Sequence, residues 1–213
     1  GWVSLALQIF YPDLFNGAWA HAPDPVDFRA YELINIYMED ENAYVNHHGF
    51  ERAASRDEDG DTRTTVRHEG RLESALGLGG RWELSGKDWC AWNAVFGPRG
   101  DDGLPKPLWN GATGEIDADV LDHWRKYDLR LRMEQDWVKL GPKLRGKLHI
   151  WVGEADGYFL NNPVHYLDAF LPPAPPPFAG QRNDRTTGTP PWRGSRSATA
   201  RCPVTVCCRR PRS

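Results

Sequence analysis

The residues richest in chemistry form one stretch, Leu148 to Leu160, which reads LHIWVGEADGYFL. Glu154 and Asp156 follow directly on a short apolar run, Leu148 to Val152, that Gly153 stops. The run is too short for a helix and carries β-branched and aromatic residues, so it predicts a buried strand. Both acids then stand on the loop at its C-terminal end. In open α/β sheets that edge collects catalytic groups, because its loops vary while the strands hold them rigidly. An acid there can orient a catalytic imidazole and stabilise it once protonated. Asp156 is equally suited to capping the next helix or forming a turn with Gly157.

Other groupings carry less. Asp57, Asp59, Gly60 and Asp61 invite comparison with a calcium loop, but an EF-hand needs Gly at its sixth position and Glu at its twelfth. Counted from Asp57, Gly60 is fourth and His68 is twelfth, so the segment reads as a solvated turn. His47-His48 and His68-Glu69 lack the helical i, i+4 spacing of a zinc pair and read as surface. Cys90 stands alone and Cys202, Cys207 and Cys208 lie in the tail, which is neither a disulfide framework nor a zinc pattern. The compartment stays open.

The elements that must position the acids are legible in part. Gly1 to Phe10 places Trp2, Leu5, Ala6, Ile9 and Phe10 at helical spacing, and Pro12 ends it. Phe15 to Pro23 reads as a turn and a short strand, so helix, connection and strand make half of a βαβ crossover and predict a mostly parallel sheet. Ile116 to Val120 opens a long amphipathic helix with Val120, Trp124, Tyr127, Leu131 and Gln135 on one face. Asn162 to Leu171 reads as a helix with Pro163 in its first turn.

Residues 29–115 break this rhythm. A connection of that length is an inserted cap or lid rather than a linker. Its aromatics (Tyr31, Tyr37, Tyr44, Phe50, Trp82, Trp89, Trp92, Phe96 and Trp109) either line a pocket or give the insertion its own small core, and burial habits favour the core. Beyond Leu171 the composition turns to Pro and Arg, with Asp184 as the sole acid and no Lys. No hydrophobic period survives, which predicts disorder over 172–213. That stretch is either a basic nucleic-acid-binding arm or, as its Arg, Pro, Gly, Thr and Cys suggest, a GC-rich gene read out of frame. The second is preferred, because the fold still needs a further strand there.

The 213 residues suit one domain with a long insertion, and a net charge of −3 argues against nucleic acid as the main partner. Apolar residues at 40% suffice for a core, while a mean hydropathy of −0.63 says that much of the chain is loop or solvated surface. No run approaches a membrane span.

The stretches GWVSLALQIFYPDLFNGAWAHAPDPVDF and LRGKLHIWVGEADGYFLNNPVHYLDAFL resemble the second half of an α/β-hydrolase, in the putative esterase branch related to esterase D and S-formylglutathione hydrolase. In that family a G-x-S-x-G elbow precedes a helix, then Y-P-x-x-F, a short strand and a proline turn; Tyr11-Pro12 and Phe15 match the helix exit. The family's G-x-x-D-x-F carries the catalytic acid, and Gly153, Asp156 and Tyr158-Phe159 resemble it, with the aromatic doubled. The resemblance implies a partial α/β-hydrolase fold: a mostly parallel sheet flanked by helices over 1–28 and 116–171, with a cap-like insertion over 29–115 and a tail over 172–213. It implies a serine carboxylic-ester hydrolase acting on a small-molecule ester through an acyl-enzyme, without metal or cofactor, in which Asp156 is the triad acid and Glu154 its rival. The elbow Ser would precede Gly1, since Ser4 lies inside the helix. The family's His follows a further strand, and His165 is the one candidate after Asp156. The chain by itself is therefore expected to be inactive.

Overall fold

The computed structural model describes residues 1–171 and, as backbone, Val204–Arg209. Helix α1 (Trp2–Phe10) turns Trp2, Leu5, Ala6 and Ile9 inward and leads through a short loop to strand β1 (Ala18–His21). β1 lies parallel to β4 (Leu148–Gly153), with Ala18 opposite Leu148 and His21 opposite Trp151. Lys147 locks this register by donating to the carbonyls of Pro12 at 2.6 Å and Phe15 at 2.9 Å. The fold is thus α/β, with a small parallel sheet in the order β1-β4-β5.

Strand β5 (Val204–Arg209) pairs parallel to β4, Leu148 opposite Val204 and Gly153 opposite Arg209. It lies inside the stretch expected to be disordered and corrects that expectation for these six residues. Val204, Thr205 and Val206 are β-branched and favour extended backbone. The remaining tail positions, including Asp184 and most of the arginines, lie outside the described residues.

β4 differs from the expected strand in burying one face only. Leu148, Ile150 and Val152 are buried, while His149 and Trp151 are half-buried on the other face. There the rings form ladders across the strands: Trp19 stacks on His149 at 4.8 Å and His21 on Trp151 at 5.1 Å.

The expected long helix is broken into α4 (Ala118–Trp124), α5 (Leu129–Gln135) and α6 (Trp137–Leu144). The break has a physical cause in Asp128. Its Oδ1 caps α5 by accepting from Leu131 N at 2.8 Å, while Oδ2 accepts from Phe28 N at 2.8 Å and from the Tyr37 hydroxyl at 2.9 Å. Burial raises the Asp128 carboxyl above its ordinary range, and these donors oppose the shift. The inward face slips by two residues across the break. Val120 and Trp124 are followed by Leu129 and Met133, not by Tyr127 and Leu131. Helix α7 (Asn161–Phe170) forms as expected.

The insertion contributes a hairpin, β2 (Ala53–Arg56) with β3 (Thr62–Thr65), followed by α2 (Val66–Leu76) and α3 (Asp88–Phe96). The aromatics mostly pack rather than line a pocket, and they share one core with the flanking elements. Tyr31 lies within 6.4 Å, ring to ring, of Phe28, Trp89, Trp92, Trp109 and Trp124. Phe96 meets Trp2 at 4.9 Å and Trp124 at 5.0 Å, both edge-on. Such pairs each contribute about 0.5–1.5 kcal/mol beyond area burial. Phe50 is the exception, 70% exposed. α3 has no side-chain cap of its own. Glu73 of α2 supplies one, accepting from Trp89 N at 2.9 Å, Cys90 N at 3.1 Å and Ser85 Oγ at 2.7 Å. Among the described residues no helix is long and apolar enough to cross a membrane.

Candidate functional site

Three segments meet at the C-terminal edge of the β1–β4 pair. α1 runs back along β1, so its first residue returns to the strand's far end. A Cβ added to Gly1 would stand 2.5 Å from Pro23 Cα, an approach only glycine allows. Asp24 follows Pro23. Burial pushes its carboxyl up, and Asp88 and Asp156 push it further. The third segment is the loop after β4.

That loop is tightly made. Asp156 N donates to Gly153 O at 3.1 Å, and Asp156 O accepts from Phe159 N at 3.2 Å. Its Oδ1 accepts from Tyr158 N at 3.0 Å and Leu160 N at 3.1 Å. Asp156 therefore does the turn-forming work that its sequence position allowed. Its Oδ2 makes no hydrogen bond among the described residues. Phe159 takes a left-handed φ of 60° at the end of this turn.

Glu154 points elsewhere. Its Oε2 lies 3.0 Å from His165 Nε2 on α7, and both side chains are partly exposed. The two candidate acids therefore part company, and the described contact of His165 is with Glu154 rather than Asp156. Ser4 sits within α1, as expected.

Arg56 escaped notice in the sequence, where it is one charge in a charged turn. At the end of β2 it donates Nε to Asp156 O at 2.9 Å, and Nη2 to Glu154 O at 3.0 Å and Asn161 Oδ1 at 3.2 Å. Its guanidinium lies 4.7 Å over the Phe159 ring, and its backbone N donates to Gly157 O at 2.8 Å. The insertion thus grips the acid loop by its backbone. Beside this grip the hairpin tip, residues 57–60, and Glu154-Ala155 bound an open cleft of about 460 Å³. Asp57 Oδ1 accepts from Asp59 N and Asp61 N, the solvated turn that the sequence suggests.

Also unforeseen is Glu32, a carboxyl forced well above its ordinary range by burial and by Glu69, Asp88, Asp156 and Asp24. The neighbouring Tyr31 phenol is raised by burial and by Glu32, Asp24 and Glu73. His47 and His48 are exposed, their rings 3.8 Å apart. Among the described residues no group of three His, Cys, Asp or Glu is placed to hold a metal ion. In comparisons with family models, curated proteins and solved structures, the chain matches none.

Proposed function

We propose that this chain carries the acid-bearing part of a serine carboxylic-ester hydrolase, with Asp156 as the acid. The observation that carries the reading is convergence: the start of α1, held against Pro23, and Asp156 after β4 reach one edge of a parallel sheet. A nucleophile on the turn entering α1 would sit at the positive end of the helix dipole. Asp156 is anchored through Oδ1 alone, leaving Oδ2 to accept an imidazole N–H and fix its tautomer. The imidazole then takes the nucleophile's proton as it attacks the acyl carbon, and backbone N–H groups stabilise the oxyanion. The reading requires a Ser and a His beyond these 213 residues, since the last His of the sequence is His165, whose described contact is with Glu154.

The test uses the complete gene product. A fluorophosphonate should label a serine just ahead of Gly1, and p-nitrophenyl acetate turnover should fall at least about a thousandfold in Asp156→Asn. That amide keeps the Oδ1 acceptor but loses the charge. The 213-residue chain alone should not turn over the ester. Unchanged turnover in Asp156→Asn would remove Asp156 from the chemistry.

A second reading, a non-catalytic binding module on the same scaffold, draws on the two backbone bonds that already occupy Asp156 Oδ1. It expects no labelled serine in the complete product.

A further inference from the structure

The insertion reaches the candidate site through one side chain. Arg56 ends β2, and the pairing of β2 with β3 is irregular on the way to it. Ala53 pairs with Thr65, Ser55 with Thr64 and Arg56 with Thr62, so the register shifts on both sides of Ser55. Such irregularities bend a strand and re-aim the side chains beside them. Here the guanidinium is delivered to the loop after β4.

That loop is held at both of its ends by the one planar group. Nε and Nη2 take the carbonyls of Asp156 and Glu154 at 2.9 and 3.0 Å, just past the strand. Nη2 also reaches Oδ1 of Asn161, the first residue of α7, at 3.2 Å. Between them lies Phe159, whose ring is covered by the guanidinium at 4.7 Å. Phe159 takes a φ of 60° without being glycine, and such strain persists only where the surroundings over-determine it. The two amides that Asp156 Oδ1 accepts, from Tyr158 and Leu160, flank this strained residue. The direction of the Asp156 carboxylate therefore depends on a turn that Arg56 closes from outside.

We infer that Arg56 is a positioning residue, fixing the turn from which Asp156 presents Oδ2, and that the insertion is thereby a working part of the reaction. The inference rests on the reading of Asp156 as the acid of an ester hydrolase. Arg56 bonds the main chain of the acid loop and not the Asp156 carboxylate. A guanidinium paired with that carboxylate would compete with the imidazole for it. One bonded to the carbonyls leaves the charge available and settles where it stands. Misplacing a catalytic group by about 1 Å costs about a hundredfold in rate.

The test measures p-nitrophenyl acetate turnover by the complete gene product and its variants. Each rate is divided by the concentration of serine titrated with a fluorophosphonate, so unfolded molecules do not count. Arg56→Ala should lower kcat about a hundredfold and change KM by less than about threefold. Arg56→Lys keeps the charge and the stem but cannot span both carbonyls in one plane, and should fall similarly. In an Asp156→Asn background Arg56→Ala should cost less than about threefold more, because it acts through that acid. Equal losses in the two backgrounds overturn the inference. So does parental turnover in Arg56→Lys, or a loss confined to KM. Hydrogen exchange on the 213-residue chain reads the grip without turnover: the Tyr158 and Leu160 amides should exchange faster in Arg56→Ala, and unchanged exchange also overturns it. Faster exchange together with parental turnover in Asp156→Asn is the distinct failure of the hydrolase reading, and it takes the positioning role with it.

Discussion

Buried carboxyl groups are treated in opposite ways in different regions of this protein. At the break between α4 and α5, Asp128 answers three donors, from Phe28, Leu131 and Tyr37. At the start of α3, Glu73 likewise answers Ser85, Trp89 and Cys90. In the Tyr31–Ile34 turn, Glu32 answers none through its buried oxygen and is held at a left-handed φ as well. A buried acid surrounded by donors is a framework joint. One surrounded by acids is a local weakness that the rest of the fold must carry.

Removing a joint should do the most damage. Asp128→Ala leaves the Phe28 and Leu131 N–H groups and the Tyr37 hydroxyl without their acceptor, and should lower stability by about 3 kcal/mol in urea unfolding. Glu73→Ala uncaps α3 and should cost about 2 kcal/mol, with faster amide exchange at Trp89 and Cys90. A loss under about 0.5 kcal/mol in both would erase the distinction between the regions.

Glu32→Gly should change stability in the other direction. Relaxed strain and the lost unpartnered carboxyl outweigh the extra freedom of glycine in the unfolded chain, giving a gain of about 1 kcal/mol. The gain of Glu32→Gln over the parent should also depend on pH. The folded value of Glu32 is raised above its ordinary value of 4.5, so its favourable contribution is complete below that value. It is lost as pH rises through the folded value. Thermal melts should therefore nearly coincide at the acid end, and the Gln variant should pull ahead as pH increases. A gap that narrows with pH would contradict the burial of this carboxyl. The smallest effect belongs to Tyr31→Phe. Deleting a hydroxyl with no described partner should move stability by less than about 0.5 kcal/mol, whereas deleting a satisfied one would lower it by more.

The same contrast explains what the sequence made legible. α1, β1, β4 and α7 announce themselves through local period, proline and glycine. The Asp57–Asp61 turn does so through its composition. The break at Asp128 carried a local signal too, since Asp is a preferred cap. The apolar spacing of Val120, Trp124 and Tyr127 runs straight through it, and only Leu129 and Met133 facing inward reveal the slip. The aromatics of the insertion are evident as core formers, but not that their core is continuous with Trp2 and Trp124. His149 and Trp151 made β4 read as buried on both sides, although such amphipathic rings suit a half-exposed face. At the candidate site, Asp156 and its loop were visible because strand, glycine and acid are neighbours in the chain. Glu32 was not, because nothing local distinguishes a glutamate destined for a glycine's conformation. Arg56 was not either, since its partners lie about a hundred positions away.

The contacts of Arg56 also bear on how this protein can change over generations. It holds the loop after β4 largely by the main-chain oxygens of residues 154 and 156, which every amino acid possesses. Mutation can therefore replace Glu154 without releasing the loop, whereas Asp156 also ties its own turn through Oδ1; the side chain at position 154 is free to drift while its mounting stays put. The mounting itself has no such latitude. Lys at position 56 would lose the planar fork that reaches both oxygens at once.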